Sequence, residues 1–315
     1  MITFRARLVL AGLAALAMIG VACSNGSSTS TPAASGGTDT GVCQSVDTTG
    51  DALASVCESG KLRVATDQKY KPQSWFDVKT QQWMGFDVDV ANEIATRLGV
   101  TADINHQDWS TVTAGSWNDR WDVNVGSMTD TVDREELFNF TPSYYYTPAA
   151  VAVNVDNTTI QDISTDLDGK TVCVGVDTTY QYYLDGSLVL GSTAPPFDFL
   201  VDGAKIVTYN TDTDALDQLD LGDGVRCDAA ITAAPTIATF VADGGKVKQV
   251  GAPLYYEPLS VALDKNDPVD NATLTHAISK IVTDMHDDGT LSSLSMKWYG
   301  TDLTTSAAGE PSSSP

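Results

Sequence analysis

The residue with the clearest chemical potential is an arginine in the first turn of a predicted helix. Arg134 follows a strand-like run, VNVGS, and a loop at 128–131. A guanidinium in this position can bind a carboxylate through two N–H groups, while loop N–H groups supply further donors. A cation at a helix N-terminus opposes the helix dipole, which is more readily explained if an anion lies beside it. The alternative is a surface arginine paired with a neighbouring acid, Asp133, Glu135 or Glu136.

Residues suited to the common catalytic sites are scarce. The three histidines, His106, His276 and His286, form neither an HExxH motif nor a close ligand pair. The sequence has no CxxC pair, no GxSxG nucleophile motif and no Walker loop. This scarcity favours a binding protein over an enzyme before any longer motif is considered.

The chain is strongly acidic. Its 315 residues include 41 Asp and Glu against 18 Lys and Arg, which gives a net charge of −23. Such a surface repels phosphate backbones, so the sequence argues against nucleic-acid binding. An anionic ligand would need a local cation such as Arg134 in order to bind. The length suggests about two domains.

The first residues have the composition of an export signal. Residues 1–22 combine two arginines with an apolar core that is too short for a comfortable membrane span. The following Cys23 ends a run that resembles a bacterial lipobox, although Gly20 stands where Leu, Val or Ile is usual. We therefore expect a lipid on Cys23 that anchors the protein to the outer face of the cell membrane. A plain signal peptide and a soluble secreted product are the alternative.

Low-complexity segments flank the expected globular part. Residues 23–42 are predicted to be the lipid anchor and a flexible linker, because Ser, Thr, Gly and Pro cannot bury a core. The tail at 304–315 is predicted to be disordered for the same reason.

Export makes the remaining cysteines interpretable. Cys43, Cys57, Cys173 and Cys227 are an even number in an oxidising compartment, which predicts two disulfides with three possible pairings. We favour Cys43–Cys57, which closes a short loop, and Cys173–Cys227, which would join two strand-like segments. Free buried thiols are the alternative.

Hydrophobic periodicity predicts an α/β architecture with largely parallel sheets. The predicted helices are 47–60, 85–100, 213–221, 233–242 and 269–287. The predicted strands include 61–66, 101–106, 121–127, 149–155, 171–176 and 260–265, with further short strands in KIVTYN, CDAAIT and VKQVG.

Several stretches, in order along the chain, resemble one family. They are KLRVATD (61–67), MGFDVDVANEIATRLG (84–99), GSMTDTVDREELFNFTPSYYYTPA (126–149), RCDAAI (226–231) and DDGTLSSLSMKWYG (287–300). Together they resemble the polar-amino-acid group, family 3, of solute-binding proteins of ABC importers.

The resemblance implies a two-lobed periplasmic-binding-protein-like fold of type II, in which two crossing strands join the lobes. One lobe would comprise 60–151 plus 256–303 and the other 152–255. The lobes would close on a ligand held in the cleft between them, outside the carboxyl ends of the strands.

The resemblance also implies which residues bind the carboxylate of the ligand. Arg134 matches the arginine that grips the α-carboxylate, and Ser127 and Thr129 match residues that add hydrogen bonds. Thr178 and Thr179 match a Thr-rich loop that binds the carboxylate from the second lobe. An ordinary helix start capped by a threonine is the alternative for this pair.

Other matched positions imply a site for the side chain of the ligand. Tyr70 and Trp109 match aromatic residues that sandwich it, with core packing as the alternative. Asp67 matches a carboxylate that meets its distal polar group, with a turn cap as the alternative. Lys69 and Lys71 flank Tyr70; they would either favour an anionic ligand or be solvated surface lysines.

One position departs from the family pattern. Members that bind α-amino acids usually carry an Asp for the ammonium group where this chain has Ala233. An uncompensated buried ammonium would cost several kcal/mol. Either another acid, Asp177 or Glu257, replaces that Asp, or the ligand is not a standard α-amino acid.

The resemblance implies the binding component of an ABC importer, a monomer without a cofactor. It would capture a small polar carboxylate, an amino acid above all, and deliver it to a membrane permease by hinge closure. One alternative is an enzyme that resembles cyclohexadienyl dehydratase, with Glu257 or Asp67 as the general acid. Another is a ligand-sensing module on the same fold.

Overall fold

The computed structural model describes residues 41–45, 50–191, 194 and 196–305. The predicted signal peptide at 1–22, Cys23, the linker up to residue 40 and the tail from residue 306 lie outside the described residues. Within the described part, no helix is both long and apolar enough to cross a membrane.

The described residues form twelve strands and nine α-helices. The strands are β1 (Lys61–Thr66), β2 (Lys69–Tyr70), β3 (Ser74–Asp77), β4 (Gln82–Met84), β5 (Thr101–His106), β6 (Val123–Thr129), β7 (Phe138–Phe140), β8 (Tyr145–Asn154), β9 (Thr171–Gly175), β10 (Lys205–Tyr209), β11 (Ala229–Ala233) and β12 (Val247–Asp264). The helices are α1 (Ala52–Ser59), α2 (Phe86–Leu98), α3 (Trp109–Thr113), α4 (Val132–Glu135), α5 (Thr179–Leu184), α6 (Asp212–Asp220), α7 (Ala234–Ala242), α8 (Ala272–Asp287) and α9 (Thr290–Tyr299).

The main sheet has two parallel halves. Its nine strands follow the order β10-β9-β11-β8-β12-β6-β1-β5, with β7 paired to β12. In the first half, β1 pairs in parallel with β5 and β6; in the second half, β9 pairs in parallel with β10 and β11. The long strands β8 and β12 run antiparallel between these halves. The α/β fold with two crossing strands is therefore confirmed.

Each half of the sheet buries apolar side chains on both faces. In β1, Val64 packs with α2 and α8, whereas the next residue, Ala65, packs with Trp117 and Trp121. In β11, Ile231 likewise belongs to an apolar cluster with residues of α5, whereas its neighbour Ala230 belongs to one with residues of α6 and α7. The helix predicted for 85–100 is present as α2, and four of its apolar side chains are fully buried: Phe86, Val90, Ile94 and Leu98. Their four-residue spacing keeps them on one helix face.

The second crossing strand is longer than the sequence predicts. VKQVG and SVALDK, which we predict as separate strands, belong to one strand, β12, from Val247 to Asp264. The residues between them stay extended because Tyr255 to Leu259 pair with β8. The register with β8 shifts between Val250 and Tyr255, so the strand is continuous although its pairing is not.

The folded part extends beyond two predicted boundaries. Gly41, predicted to lie within the flexible linker at 23–42, is buried and approaches Gly99 so closely that a Cβ on Gly41 would lie 2.5 Å from the Gly99 Cα. Thr304, predicted to begin the disordered tail, is 5% exposed and bonds to Asp302. Helix α1 starts at Ala52, after the predicted residue 47, because the preceding Asp51 caps its first turn. Helix α9 was not predicted from the sequence.

Two disulfides link the four cysteines in the pairing that we favour from the sequence. One joins Cys43 to Cys57 and the other joins Cys173 to Cys227. The second bond ties β9 to the segment just before β11, and β9 ends at Gly175.

Candidate functional site

A pocket lies at the carboxyl ends of the parallel strands in both halves of the sheet. All eight residues that the resemblance assigns to the ligand line it: Asp67, Tyr70, Trp109, Ser127, Thr129, Arg134, Thr178 and Thr179. It is also lined by Gly126, Gly175, Tyr180, Asn210, Thr211, Asp212 and Glu257. No group of three His, Cys, Asp or Glu side chains in the described part is arranged to hold a metal ion.

Arg134 is the charged centre of this pocket. Thr131 caps the short helix α4, which places the Arg134 side chain inward, only 4% exposed. Its Nη1 donates to the Thr129 carbonyl (3.1 Å) and its Nη2 to the Asp177 carbonyl (2.9 Å). The Nε group is buried and has no hydrogen-bond partner among the described residues. Burial lowers the pKa of Arg134, and none of the described acids forms a salt bridge with it.

Aromatic side chains form the walls beside Arg134. The guanidinium lies 5.2 Å from the Trp109 ring centroid, and Trp109 Nε1 also donates to the Asp177 carbonyl, at 3.0 Å. Asp177 has a φ of 57°, a left-handed conformation that non-glycine residues rarely adopt. Across the pocket, the hydroxyls of Tyr70 and Tyr180 are 3.4 Å apart.

The hydroxyl of Ser127 is used inside the protein. It donates to Asp87 Oδ2 at 2.7 Å, and Tyr145 OH lies 2.5 Å from it. Tyr144 OH donates to Asp87 Oδ1 at 2.8 Å and accepts from the Ser127 N–H at 3.0 Å. Burial raises the pKa of Asp87 to about 6, and the two hydroxyls oppose that rise. Ser127 therefore offers the pocket an acceptor oxygen rather than a proton.

Glu257 brings a carboxylate from the crossing strand β12 into the pocket. Its Oε1 accepts from Thr129 Oγ1 at 2.9 Å and also from Thr179 Oγ1. Its Oε2 accepts from Tyr180 OH at 2.7 Å and from Thr147 Oγ1 at 3.4 Å. Burial raises the pKa of Glu257, while these hydroxyl donors favour the ionised form. The protons of Thr129 and Thr179 are thus already committed to a carboxylate.

Asp212 adds a second buried carboxyl at the start of α6. Its Oδ1 accepts from the Gly175 N–H at 3.1 Å, and a Cβ at Gly175 would lie 2.6 Å from that oxygen. Burial raises the pKa of Asp212 to about 7. Thr178 caps α5, and its hydroxyl donates to the Gly175 carbonyl at 2.7 Å. The alternative of a capped helix start therefore describes the Thr178 side chain, although the residue also lines the pocket.

Asp67 and the two lysines beside Tyr70 have different environments. Asp67 Oδ1 accepts from the Lys69 N–H at 2.8 Å, so the residue caps a turn while it lines the pocket. Burial raises the pKa of Asp67. The lysines are not among the residues that line the pocket, and they form salt bridges with acids of the second half, Lys69 with Asp214 and Lys71 with Asp243. The structure therefore gives no support to a role for them in binding an anionic side chain.

Sequence reasoning missed Asp212 and Tyr180 as pocket residues. Asp212 follows the carboxyl end of β10, as Asp67 follows that of β1, and this shared position was a usable signal. Of the two acids considered as replacements at Ala233, Glu257 lines the pocket, whereas Asp177 contacts Arg134 only through its carbonyl. Ala233 itself is fully buried at the end of β11.

This geometry defines a class of protein. Two α/β halves joined by two crossing strands enclose a polar and aromatic pocket lined from both sides, as in two-lobed solute-binding proteins. The profile of the bacterial extracellular solute-binding proteins, family 3, matches residues 62–301. The chain belongs to this family.

Curated relatives are similar over most of their length. The L-cystine-binding protein TcyA of Bacillus subtilis is 29% identical over 262 residues, which cover 81% of this chain and 87% of the relative. The L-cystine-binding protein TcyJ of Escherichia coli is 28% identical over 253 residues, covering 80% and 87%. Both names describe binding proteins.

Solved structures have the same fold. A mutant of ArgBP from T. maritima superimposes with a TM-score of 0.67 at 26% identity, covering 79% of this chain and 99% of that one. The ancestral amino acid-binding protein AncCDT-1, a precursor of cyclohexadienyl dehydratase, gives 0.66 at 28% identity, covering 78% and 99%.

Replacing Arg134 with Ala is expected to abolish ligand binding while the protein stays folded. The loss should be roughly 100-fold or more, since hydrogen bonds to charged groups contribute about 1.5–3 kcal/mol each. Arg134→Lys should also bind weakly, because an ammonium cannot form the two-pronged contact. Isothermal titration calorimetry measures both. Arg120→Ala, at an exposed arginine outside the pocket, is the matched control. Unchanged affinity in Arg134→Ala would remove the carboxylate assignment.

Replacing Asp212 with Asn is expected to stabilise the ligand-stripped protein by an amount that grows with pH. The folded-state pKa of Asp212 is about 7, against an ordinary 3.8. Between these values unfolding releases a proton, so the natural protein loses stability as pH rises, whereas Asn keeps the acceptor for Gly175 and does not titrate. Glu257 and Asp67, which also face Asp212, are present in both proteins. Urea unfolding between about pH 5 and pH 8 measures the difference in unfolding free energy between the two proteins. A difference that does not change with pH would contradict the raised pKa of Asp212.

Proposed function

We propose that this chain binds an amino acid outside the cytoplasm and delivers it to the permease of an ABC importer. The carrying observation is Arg134, whose buried guanidinium lines a pocket between the two halves and whose Nε–H group has no partner among the described residues. A carboxylate would supply the missing acceptor and the missing negative charge. Relatives named as cystine-binding and arginine-binding proteins support an amino acid as the ligand class.

Hinge closure is the proposed mechanism. We assign 60–151 with 256–303 to one lobe and 152–255 to the other, with the hinge in β8 and β12. Contacts already cross the cleft: Gln73 Nε2 donates to Thr236 Oγ1 at 3.2 Å, and the Asp177 carbonyl accepts from Trp109 and Arg134. A ligand that contacts both lobes favours the closed arrangement, which the permease then recognises. The pocket is complete within one chain, which supports a monomer.

The composition of the first residues supports an anchored location. Residues 1–22 would be removed as a signal peptide, and Cys23 would carry the lipid. Residues 24–40, rich in Ser, Thr, Gly and Pro, would have a reach of roughly 20–25 Å as a flexible linker, which would keep the binding lobes near the permease.

Binding without turnover is favoured over an enzyme. Four hydroxyl groups donate to Glu257 and occupy both of its oxygens, so neither oxygen is free to pass a proton to a substrate, even though burial raises the pKa of this carboxyl. AncCDT-1, the ancestral amino acid-binding protein, is a precursor of cyclohexadienyl dehydratase, so in that lineage the binding protein came before the enzyme. Turnover assays on arogenate and prephenate therefore belong with the binding screen.

A thermal-shift screen of the mature protein tests the proposal, after denaturant removes any co-purified ligand. The panel comprises the twenty amino acids, cystine, ornithine, dicarboxylates and polyamines. A ligand at 100 times its Kd adds about 2.7 kcal/mol, which raises Tm by several degrees. We expect a shift with a small subset of amino acids and no turnover. Shifts confined to dicarboxylates or polyamines, or turnover of arogenate, would overturn the proposal.

Replacing Cys23 with Ala tests the anchor. The natural protein is expected in the membrane fraction with a mass increase equal to its lipid, and the variant in the soluble exported fraction. Ser24→Ala is the matched control, because it alters the linker and keeps the modified cysteine. An identical distribution of natural protein and Cys23→Ala would show that no lipid is attached.

A further inference from the structure

The charges that line the pocket are unequal. The described lining contains one basic side chain, Arg134, and three acidic ones, Asp67, Asp212 and Glu257. Each acid is at or near the end of a strand or within the crossing strand, so the main sheet fixes its position. If the ligand carboxylate pairs with Arg134, no other basic side chain of the described lining is available to the three acids, which then face the remaining groups of the ligand.

Neighbouring cations do not correct this imbalance. Lys69 Nζ lies 3.1 Å from Asp214, and Lys71 Nζ lies 2.7 Å from Asp243, both outside the pocket lining. Lys69 and His106 do favour the charged form of Asp67. Asp212 has no such help: a backbone amide and the Thr232 hydroxyl are the groups that favour its ionisation.

The hydroxyl groups that line the pocket, like its acids, present electron-rich oxygens to a ligand. Ser127, Thr129, Thr178 and Thr179 each donate their hydroxyl proton to an acceptor of the protein. What they present to a ligand is therefore lone pairs. Away from Arg134, the pocket is rich in acceptors and suits a ligand with several N–H donors.

Charge balance then selects among amino acids. Burial raises the pKa of all three acids, because a buried carboxylate ionises only at a cost of several kcal/mol unless a counter-charge lies beside it. A ligand that brings such counter-charges is therefore favoured. A neutral amino acid brings one ammonium for three acids, and an acidic one adds a further negative charge. An amino acid with a cationic side chain brings two positive groups, which together with Arg134 offset the three acids and the ligand carboxylate most closely.

We propose that the ligand is an amino acid with an ammonium or guanidinium side chain, and that Asp67 and Asp212 select for its two cationic groups. This inference rests on the proposed function, because it takes Arg134 as the partner of the ligand carboxylate. Glu257, whose oxygens already accept four hydroxyl bonds, contributes its charge rather than a new contact.

Pairs of ligands that match in shape and differ in charge test the inference. Calorimetry on the stripped mature protein would compare arginine with citrulline and lysine with norleucine. We expect the cationic member of at least one pair to bind roughly 100-fold more tightly, as for a charge left without its partner. Glutamine, glutamate and cystine complete the series.

Variants assign the selectivity to residues. One of the two variants Asp67→Asn and Asp212→Asn should weaken the cationic ligand about tenfold or more and leave its neutral isostere nearly unchanged, because it removes the partner of the side-chain cation. The other variant should weaken both members of the pair, because both carry the α-ammonium group. Glu136→Gln, at an exposed acid outside the pocket, should change neither. Far-UV circular dichroism checks that each variant is folded. The ratio of the affinities of the cationic and neutral ligands is measured on the natural protein, so this test still applies if a variant fails to fold.

The outcomes separate the two proposals. Equal affinity for cationic and neutral isosteres, or tightest binding of glutamine, glutamate or cystine, would overturn the inference and leave amino acid binding in place. No measurable binding of any amino acid would overturn the proposed function itself.

Discussion

The antiparallel pairing of β8 with β12 is the constraint on which the rest of the structure depends. Both halves of the sheet attach to this pair, β11 through β8 and β6 through β12. Its register sets Thr147 opposite Glu257, which points the carboxylate into the pocket. A slip of one residue would turn Glu257 to the other face of the sheet. The same pair therefore supplies the connection between the lobes and part of the site.

The polar groups of the pocket are held in place before any ligand is considered. The Asp87 network fixes Ser127, and the Glu257 network fixes Thr129 and Thr179. Ser127 and Asp177 both have a φ of 57°, a conformation that costs non-glycine residues about 1–3 kcal/mol. Satisfied hydrogen bonds and strained backbone conformations thus occur together at this pocket. This is expected of a binding site, where the exact positions of the polar groups matter more than their contribution to the stability of the fold.

The sequence was most informative where residue type and strand end coincide. Four matched positions lie within the continuous stretches that resemble the family, namely Asp67, Ser127, Thr129 and Arg134. The structure gathers them with the other matched positions around one pocket. Asp212 was missed although it follows a strand end, because this chain has many acids and the burial of Asp212 beside Gly175 depends on another strand. The partners of Lys69 and Lys71 were equally hidden, since Asp214 and Asp243 lie far along the sequence and meet them only through the fold.

These two salt bridges have a kinetic consequence. They cross from the first half of the sheet to the second, and their lysine side chains are 54% and 44% exposed. Exposed salt bridges contribute at most about 1 kcal/mol. Dissolved ions weaken them, since the screening length is about 8 Å at physiological ionic strength and becomes shorter as salt is added. Parting the halves breaks both pairs, so added salt removes part of the resistance to separation. The residence time of a captured solute is therefore tied to the salinity of the medium around the cell.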